Sequence, residues 1–208
     1  MNYAKLAFSD AIRSLQEKYG SRRNYERVER FSSYSGLTEN EARFVNERDS
    51  FYAASIGENG FPYIQHRGGP KGFLKVLDDR TLGFLDFSGN RQYISLGNLH
   101  HSNKVALFLM DYPNRARLKV YAKAEVVVLG ERPELESSLL TYGYKAKPER
   151  IILYHIEAFD WNCPQHITPR YTEEQIQEVL QNQTDYIESL EEELRDLRKK
   201  VGANEGNG

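Results

Sequence analysis

The sequence has 208 residues, of which 39% are hydrophobic and 28% charged, and its formal net charge at pH 7 is -2. This length suits one domain with extensions, and the near-neutral charge disfavours a general nucleic-acid binder, which usually carries a basic surface. The single cysteine, Cys163, excludes an internal disulfide. The longest apolar run, VALFLM at 105–110, is too short to cross a bilayer. The segment MNYAKLAFSD lacks the hydrophobic region of a signal peptide. We therefore expect a cytoplasmic protein that binds neither membranes nor nucleic acids.

The first segment, residues 1–45, is predicted to be helical. Apolar side chains from Phe8 to Leu15 recur at three- and four-residue spacing, as on one face of a helix. Thr38 and Glu41 have the spacing of a capping box, which predicts a second helix over about 39–48.

From residue 50 the pattern changes to that of β-strands. Three predicted hairpins follow one another: FYAASI and FPYIQH around GENG, FLKVLD and TLGFLDF around DDR, and KVALFLMDY and RLKVYAKAEVVVL around PNRA. After a short predicted helix near 133–142, RIILYHIEAFDW supplies a last strand. Six or seven antiparallel strands with short turns predict a mainly β fold with flanking helices, and a closed or split barrel, because closure removes exposed edges.

The last segment, 171–208, is predicted to be a long helix that ends in a frayed tail. Its apolar residues alternate at spacings of four and three, which is a heptad pattern. The a positions are Leu180, Ile187, Leu194 and Val201, and the d positions are Ile176, Leu190 and Leu197, with Gln183 as the polar exception. Such a helix either lies on its own barrel or pairs with another helix, and the charged flanks of the narrow seam favour pairing.

Polar groups suited to phosphate stand at the ends of predicted strands. FPYIQHRGGP (61–70) runs from a strand into Gln65, His66, Arg67 and two glycines, and Lys75 lies on the next strand. FSGNRQYIS (87–95) forms a polar turn before a short helix, where backbone N–H groups and the helix dipole favour an anion. Arginine adds bidentate contacts to phosphate oxygens. Each residue alone is better explained as a turn or a solvated charge, but together they predict an anion site.

A second polar cluster, WNCPQHITPRY (161–171), follows the last predicted strand. Pro164 and Pro169 stiffen it and prevent a regular helix or central strand. We interpret it either as part of a binding site or as a cap on the barrel. Cys163 is interpreted as a small buried side chain rather than a nucleophile. The five histidines are scattered and no CxxC occurs, so no metal site is predicted.

These motifs support a family resemblance. PYIQHRGGPKGFLKVLDDRTLGFLDFSGNRQYISLGNL, followed by KVALFLMDYPNRARLKVYAKAEVV and WNCPQHITPR, resembles the pyridoxamine 5'-phosphate oxidase-like, FMN-binding split-barrel proteins. The resemblance covers about residues 45–170 and implies a homodimer with FMN at the subunit interface. It implies a split-barrel domain at 46–170 between the N-terminal helical segment and the C-terminal helix.

The resemblance also implies roles for individual residues. Arg67 and Lys75 would hold the phosphate, the turn from Ser88 to Gln92 would hold phosphate and ribityl groups, and Arg117 and Lys119 would lie against the flavin ring. Three residues of the second polar cluster would reach the flavin of the partner subunit. The full set of candidate cofactor residues is Gln65, His66, Arg67, Gly68, Lys75, Phe87, Ser88, Gly89, Asn90, Arg91, Gln92, Arg117, Lys119, Gln165, His166 and Arg170.

The leading functional hypothesis is an FMN-dependent oxidoreductase acting on a small molecule, with no catalytic side chain identified. The alternatives are a flavin protein that stores, senses or passes electrons, a binder of a deazaflavin, and an interaction module that works through its helical tail. Two departures from the oxidases disfavour vitamin B6 oxidation. GGPKGFL separates Arg67 from Lys75, and WNCPQHITPR does not match the segment with which the oxidases clasp their substrate.

Overall fold

The structure, a computed structural model, describes residues 1–161 and 164–205, with side chains up to residue 198. The chain forms two units. The core unit contains Met1–Asp111 and Arg115–Ile167, and the tail unit contains Tyr112–Asn114 and Thr168–Gly208. Cys163, which was predicted to be buried, lies outside the described residues. The side chain of Val201, an a residue of the heptad, is also outside the described part.

Seven helices and seven strands occur in the described residues. The helices are α1 (Tyr3–Ala7), α2 (Asp10–Lys18), α3 (Arg22–Phe31), α4 (Glu39–Asn46), α5 (Ile94–His101), α6 (Pro133–Leu139) and α7 (Glu173–Glu205). The strands are β1 (Ser50–Ile56), β2 (Pro62–Gly68), β3 (Lys75–Asp78), β4 (Thr81–Phe87), β5 (Lys104–Asp111), β6 (Ala116–Val128) and β7 (Pro148–Trp161).

Helix α4 starts at the predicted capping box and is fastened to the sheet by the same carboxylate. Glu41 Oε2 accepts a hydrogen bond from the backbone N–H of Thr38 at 2.9 Å, and Oε1 accepts one from Trp161 Nε1 at 2.7 Å. The Trp161 ring also packs edge-to-face on Phe44, with centroids 4.7 Å apart. One buried glutamate therefore both begins the helix and docks it on β7.

All seven strands belong to one antiparallel sheet with the order β2-β1-β5-β6-β7-β4-β3. The three predicted hairpins are confirmed as the pairs β1–β2, β3–β4 and β5–β6. The sheet curls on itself, because Phe51 of β1 meets Phe84 of β4 at 5.6 Å between ring centroids although β5, β6 and β7 lie between them in the sheet. The expected split barrel is therefore confirmed.

Two hydrophobic clusters explain why β4 is buried on both faces. On the inside, Phe84 packs among Phe51, Phe73 and Tyr154. On the outside, Leu85 joins a smaller cluster that includes Leu139 of α6. Because side chains alternate between the faces of a strand, TLGFLDF needs apolar residues at almost every position.

In the tail unit, α7 runs for 33 residues, which confirms the predicted long helix. It ends at Glu205, within the segment that was predicted to be a frayed tail. Its start is capped reciprocally: the Thr172 N–H donates to Gln175 Oε1, and the Gln175 N–H donates to Thr172 Oγ1. Across the described residues, no helix is both long enough and apolar enough to span a membrane.

Candidate functional site

A cavity of about 210 Å³ lies between β2, the turn after β4 and the start of β7. We call it the arginine pocket, after Arg67, Arg91 and Arg150. Seven of the predicted residues line it, namely Gln65, Arg67, Phe87, Gly89, Asn90, Arg91 and Gln92. Its other lining residues were not predicted, namely Tyr63, Asp86, Tyr93, Ile94, Ser95, Leu96, Glu149, Arg150 and Ile152.

Asp86 is the carboxylate at the base of this pocket. Its Oδ1 lies 2.5 Å from Arg67 Nη1, and its Oδ2 lies 3.6 Å from Arg150 Nη1. Asp86 and Arg150 are register partners on neighbouring strands. Burial raises the pKa of Asp86, while the charges of Arg67 and Arg150 act in the opposite direction. The two arginines thus make it feasible to bury a carboxylate that is only 7% exposed.

Arg67 has a donor that is not used within the described part of the chain. Its Nε is buried and has no hydrogen-bond partner there. A buried donor without a partner costs on the order of 1–3 kcal/mol. An acceptor oxygen from a ligand in the pocket would remove that cost. The residues present therefore fit an anionic group at this position.

The turn after β4 exposes backbone towards the pocket and is held in an uncommon conformation. Arg91 and Tyr93 have φ angles of 58° and 53°, in the left-handed region that few residues other than glycine adopt. Asn90 Oδ1 accepts a hydrogen bond from the Gln92 N–H at 3.2 Å, which holds the turn closed. Such strained positions concentrate at binding sites.

Helix α5 begins directly after this turn and is tied to β2. The Ser95 hydroxyl donates a hydrogen bond to Gln65 Oε1 across the pocket. The first N–H groups of a helix lack partners within the helix, and the dipole makes that end positive. The predicted turn before a short helix is therefore present, beside Arg67.

The charge of the pocket is positive on balance. Arg91 Nε lies 3.8 Å from Glu149 Oε1, and Glu149 also pairs with Arg150. Three guanidinium groups minus two carboxylates, Asp86 and Glu149, leave one positive charge when all five are ionised. Arg91 is 70% exposed in its side chain, whereas those of Arg67 and Arg150 are 14% and 13% exposed. Arg67 and Arg150 are therefore mostly covered and held by carboxylates, whereas Arg91 is open to solvent.

Several predicted residues lie elsewhere. His66 stands on the opposite face of β2, where its ring meets Tyr52 at 5.5 Å. Lys75 does not line the pocket, and its strand β3 is not hydrogen-bonded to β2. Whether Lys75 contacts a cofactor stays a prediction. Ser88 is also not among the lining residues, and its N–H donates to Lys147 O.

Of the two glycines after Arg67, Gly69 is required by packing in the core. Gly68 ends β2 opposite Ser50. The Gly69 N–H donates to Asp49 O at 2.9 Å, and a Cβ on Gly69 would lie 2.6 Å from Cγ of Phe73. The absence of a side chain at Gly69 therefore leaves room for Phe73 in the core.

Arg117 and Lys119 lie on β6, away from the arginine pocket. Lys119 Nζ is 3.8 Å from Asp160 Oδ2 and 4.9 Å from the centre of the Tyr3 ring, in a separate cavity of about 540 Å³ beside the N-terminal helices. Burial raises the pKa of Asp160, and Lys119 opposes that effect. Arg117 Nε is buried without a partner in the described part of the chain.

The second polar cluster is divided between the two units. Gln165 and His166 are exposed in the core unit, and His166 has a φ of 62°. Arg170 belongs to the tail unit, where its guanidinium lies 4.9 Å from the centre of the Tyr112 ring. Whether these residues serve a cofactor stays a prediction. Among the described residues, no group of three or more His, Cys, Asp or Glu side chains is placed to hold a metal ion.

The fold and the pocket together define a split-barrel protein with a cation-lined pocket beside its seam. Residues 37–157, more than half of the chain, match the family model of pyridoxamine 5'-phosphate oxidase. The chain belongs to this family. No curated protein matches its sequence.

Solved structures similar to the chain include three bacterial proteins. One from Lactobacillus delbrueckii, assigned as a pyridoxamine 5'-phosphate oxidase, has 22% identity and a TM-score of 0.48, over 62% of this chain and 96% of its own. An FMN-binding protein from Syntrophomonas wolfei has 15% identity and a TM-score of 0.47, over 74% and 97%. A FAD-binding protein from Mesorhizobium loti has 12% identity and a TM-score of 0.44, over 60% and 94%.

Proposed function

We propose that the protein is an FMN-binding oxidoreductase that holds the flavin phosphate in the arginine pocket and works as a homodimer. The observation that carries this proposal is the convergence of Arg67, Arg150 and the strained turn before α5 on one cavity. Membership of the pyridoxamine 5'-phosphate oxidase family supports it. A cytoplasmic location stays a prediction.

The side chains of the pocket have distinct tasks in this proposal. Arg67 and Arg150 bind the phosphate from fixed positions, because Asp86 holds both guanidinium groups. The free Nε of Arg67 supplies one donor. Asn90 and Gln92 present polar groups to the chain of the cofactor. When bound, the flavin supplies the hydride or electron transfer, and the protein binds and orients it.

The size of the pocket supports a site that is shared between two chains. Its volume of about 210 Å³ is below the roughly 300–1,000 Å³ typical of pockets that enclose a small molecule. It therefore suits the phosphate end of FMN and leaves the ring to be covered by another surface. We assign that cover to the partner subunit's copy of the segment that contains Gln165, His166 and Arg170.

The test is to purify the protein, record its visible spectrum and determine the mass of any released ligand. The mass distinguishes FMN from FAD and from a deazaflavin. Titration with FMN of the wild type, Arg67→Ala and Arg150→Ala then tests the pocket. The control is Arg27→Ala, which removes an exposed arginine of α3. If the protein neither carries nor binds a flavin, the proposal fails.

Catalysis is tested separately by turnover of the bound flavin with a reduced nicotinamide donor. Reduction followed by transfer to an acceptor supports an oxidoreductase. A flavin that binds tightly but is not turned over by any donor supports the alternative, a protein that stores or senses flavin.

A further inference from the structure

The heptad face of α7 is open to solvent along its described length. Its apolar a and d residues are each 45% to 55% exposed, namely Ile176, Leu180, Ile187, Leu190, Leu194 and Leu197. From Ile176 to Leu197 the helix rises about 32 Å, at about 1.5 Å per residue. An apolar stripe of this length on the surface, interrupted only by Gln183, marks an interaction site.

We propose that α7 pairs in parallel and in register with α7 of a second copy of this chain. The proposal depends only on residues of the tail unit, so its test is independent of whether the protein binds a flavin. The orientation of the pair is decided by the polar residue within the apolar stripe and by the charged residues beside the stripe.

Gln183 selects the orientation. It occupies a d position between Leu180 and Ile187 and is exposed in the single chain. In a parallel, in-register pair, residues at d meet their own copies, so the two Gln183 amides face each other and can exchange hydrogen bonds. A single polar core residue that is satisfied only in one register specifies that register.

The antiparallel alternative leaves the same amide without a partner. In an antiparallel pair in which the two heptad segments overlap completely, each a residue faces a d residue of the other helix. Gln183 of each helix then faces Leu194 of the other. A buried amide without a hydrogen-bond partner is unfavourable. The antiparallel pair is therefore disfavoured by the sequence of the helix itself.

Flanking charges favour the parallel arrangement as well. Glu193 is a g residue and Arg198 is the e residue five positions later. In a parallel pair, g of one helix lies beside the following e of the other, so two Glu193–Arg198 contacts of opposite charge form across the interface. In the overlapped antiparallel pair, Glu193 instead lies beside Tyr186, and Arg198 beside Gln177, with no charge pairing.

Disulfide trapping in the full-length protein tests the register. The native Cys163 is first replaced by serine, and one cysteine is then introduced at a d position near the end of the seam, Leu197→Cys. This position meets its own copy only in the parallel pair, because it would face Leu180 in the overlapped antiparallel pair. The matched control is Glu192→Cys, an f position on the opposite face. Mild oxidation at low protein concentration should link the Leu197→Cys chains into dimers, while the Glu192→Cys chains remain unlinked on a non-reducing gel.

Either of two results overturns the proposal: no link at position 197, or equal linkage at positions 197 and 192. The first would mean that another surface covers the stripe, and the second would mean random collision. A second pair of variants does not depend on cysteine chemistry. Leu190→Asp should reduce the helical circular-dichroism signal of the full chain, whereas Ser189→Asp, at an outward c position, should leave it unchanged. Equal signals in these two variants would also contradict pairing.

Discussion

Arg67 on β2 and Asp86 on β4 meet across the seam of the barrel, with Nη1 and Oδ1 2.5 Å apart, although β1, β5, β6 and β7 lie between their strands in the sheet. At this point the barrel is therefore closed by side chains rather than by a backbone ladder. The proposed phosphate site includes the same ion pair. Arg67 therefore contributes both to closure of the barrel and to the proposed ligand site.

Replacing Asp86 by asparagine tests this closure. Asp86→Asn leaves Arg67 mostly buried without a counter-charge, while Arg150 keeps its ion pair with Glu149. We expect a loss of about 3–5 kcal/mol in the free energy of unfolding. Urea denaturation of the ligand-free protein measures it. The control Glu58→Gln removes an exposed carboxylate from the turn between β1 and β2 and should change little. Added FMN should recover part of the loss, because its phosphate supplies a new anion and binds only the folded state.

The three arginines of the pocket should differ in their effect on FMN affinity. Arg67→Ala and Arg150→Ala remove buried donors and should each weaken binding by about 1.5–3 kcal/mol, the range for hydrogen bonds to charged groups. Arg91→Ala should cost less, because its side chain is 70% exposed and is screened by water. Fluorescence titration gives the three dissociation constants. A larger loss for Arg91 than for both buried arginines would contradict the proposed geometry.

Glu41 predicts a pH-dependent difference in stability. Burial alone would raise the pKa of Glu41, but hydrogen bonds from Thr38 and Trp161 outweigh it and lower the pKa below its ordinary value of 4.5. The ionised carboxylate therefore stabilises the fold fully above pH 4.5, and that stabilisation is lost as the pH falls through the lower folded-state pKa.

The variant Glu41→Gln isolates this contribution. At neutral pH it should unfold with about 1.5–3 kcal/mol less free energy than the wild type, and the gap should shrink below pH 4.5. Trp161 is the only tryptophan of the chain, so its fluorescence follows the unfolding. A gap that stays constant through acid pH would show that the carboxylate charge is not involved.

Gly69 provides a test of packing. In Gly69→Ala the new methyl group would lie 2.6 Å from Cγ of Phe73, which is 2% exposed. Overpacking of this kind costs about 1–3 kcal/mol. In Gly89→Ala the new methyl group meets nothing within 4 Å, so the melting temperature of the ligand-free protein should not change. Equal melting temperatures of the two variants would contradict the packing explanation.

A mixed dimer tests whether the two chains share each flavin site. An Arg67→Ala subunit combined with an Arg170→Ala subunit should form one intact site and one doubly damaged site. Two different affinity tags isolate the mixed species, and FMN titration should show half of the sites with wild-type affinity. Two equally weakened sites would instead place both residues in the site of one chain.

Much of the fold could be predicted because it follows from patterns among residues that are close together in the sequence. The three hairpins follow from β-rich runs around turn residues, and α4 follows from the Thr38–Glu41 capping box. Helix α3 was not predicted as a separate element, since its mixture of acids and bases resembles a solvated segment. Its Glu29 is in fact buried, between Arg13 and Arg22.

The site was predicted only where the signal is local. The turn at 88–92 can be recognised from its own residues, but Asp86 and Arg150 come together only through the β4–β7 pairing, across more than sixty positions. One signal was present: an aspartate inside the apolar strand TLGFLDF requires a cationic partner. The arginine at the start of RIILYHIEAFDW meets that requirement, but the sequence alone does not specify the pairing.

The place of β7 in the sheet has a consequence for how the protein is made. Among the described residues, β7 is the last strand to be synthesised, yet it lies between β6 and β4. Until it emerges from the ribosome, the nascent chain has two partial sheets, β2-β1-β5-β6 and β4-β3, each with an unpaired inner edge. Unpaired edges are templates for association with other chains. The interval between synthesis of Val128 and Trp161 is thus when the nascent barrel is most exposed to aggregation, and a chaperone that shields β6 would act in that interval.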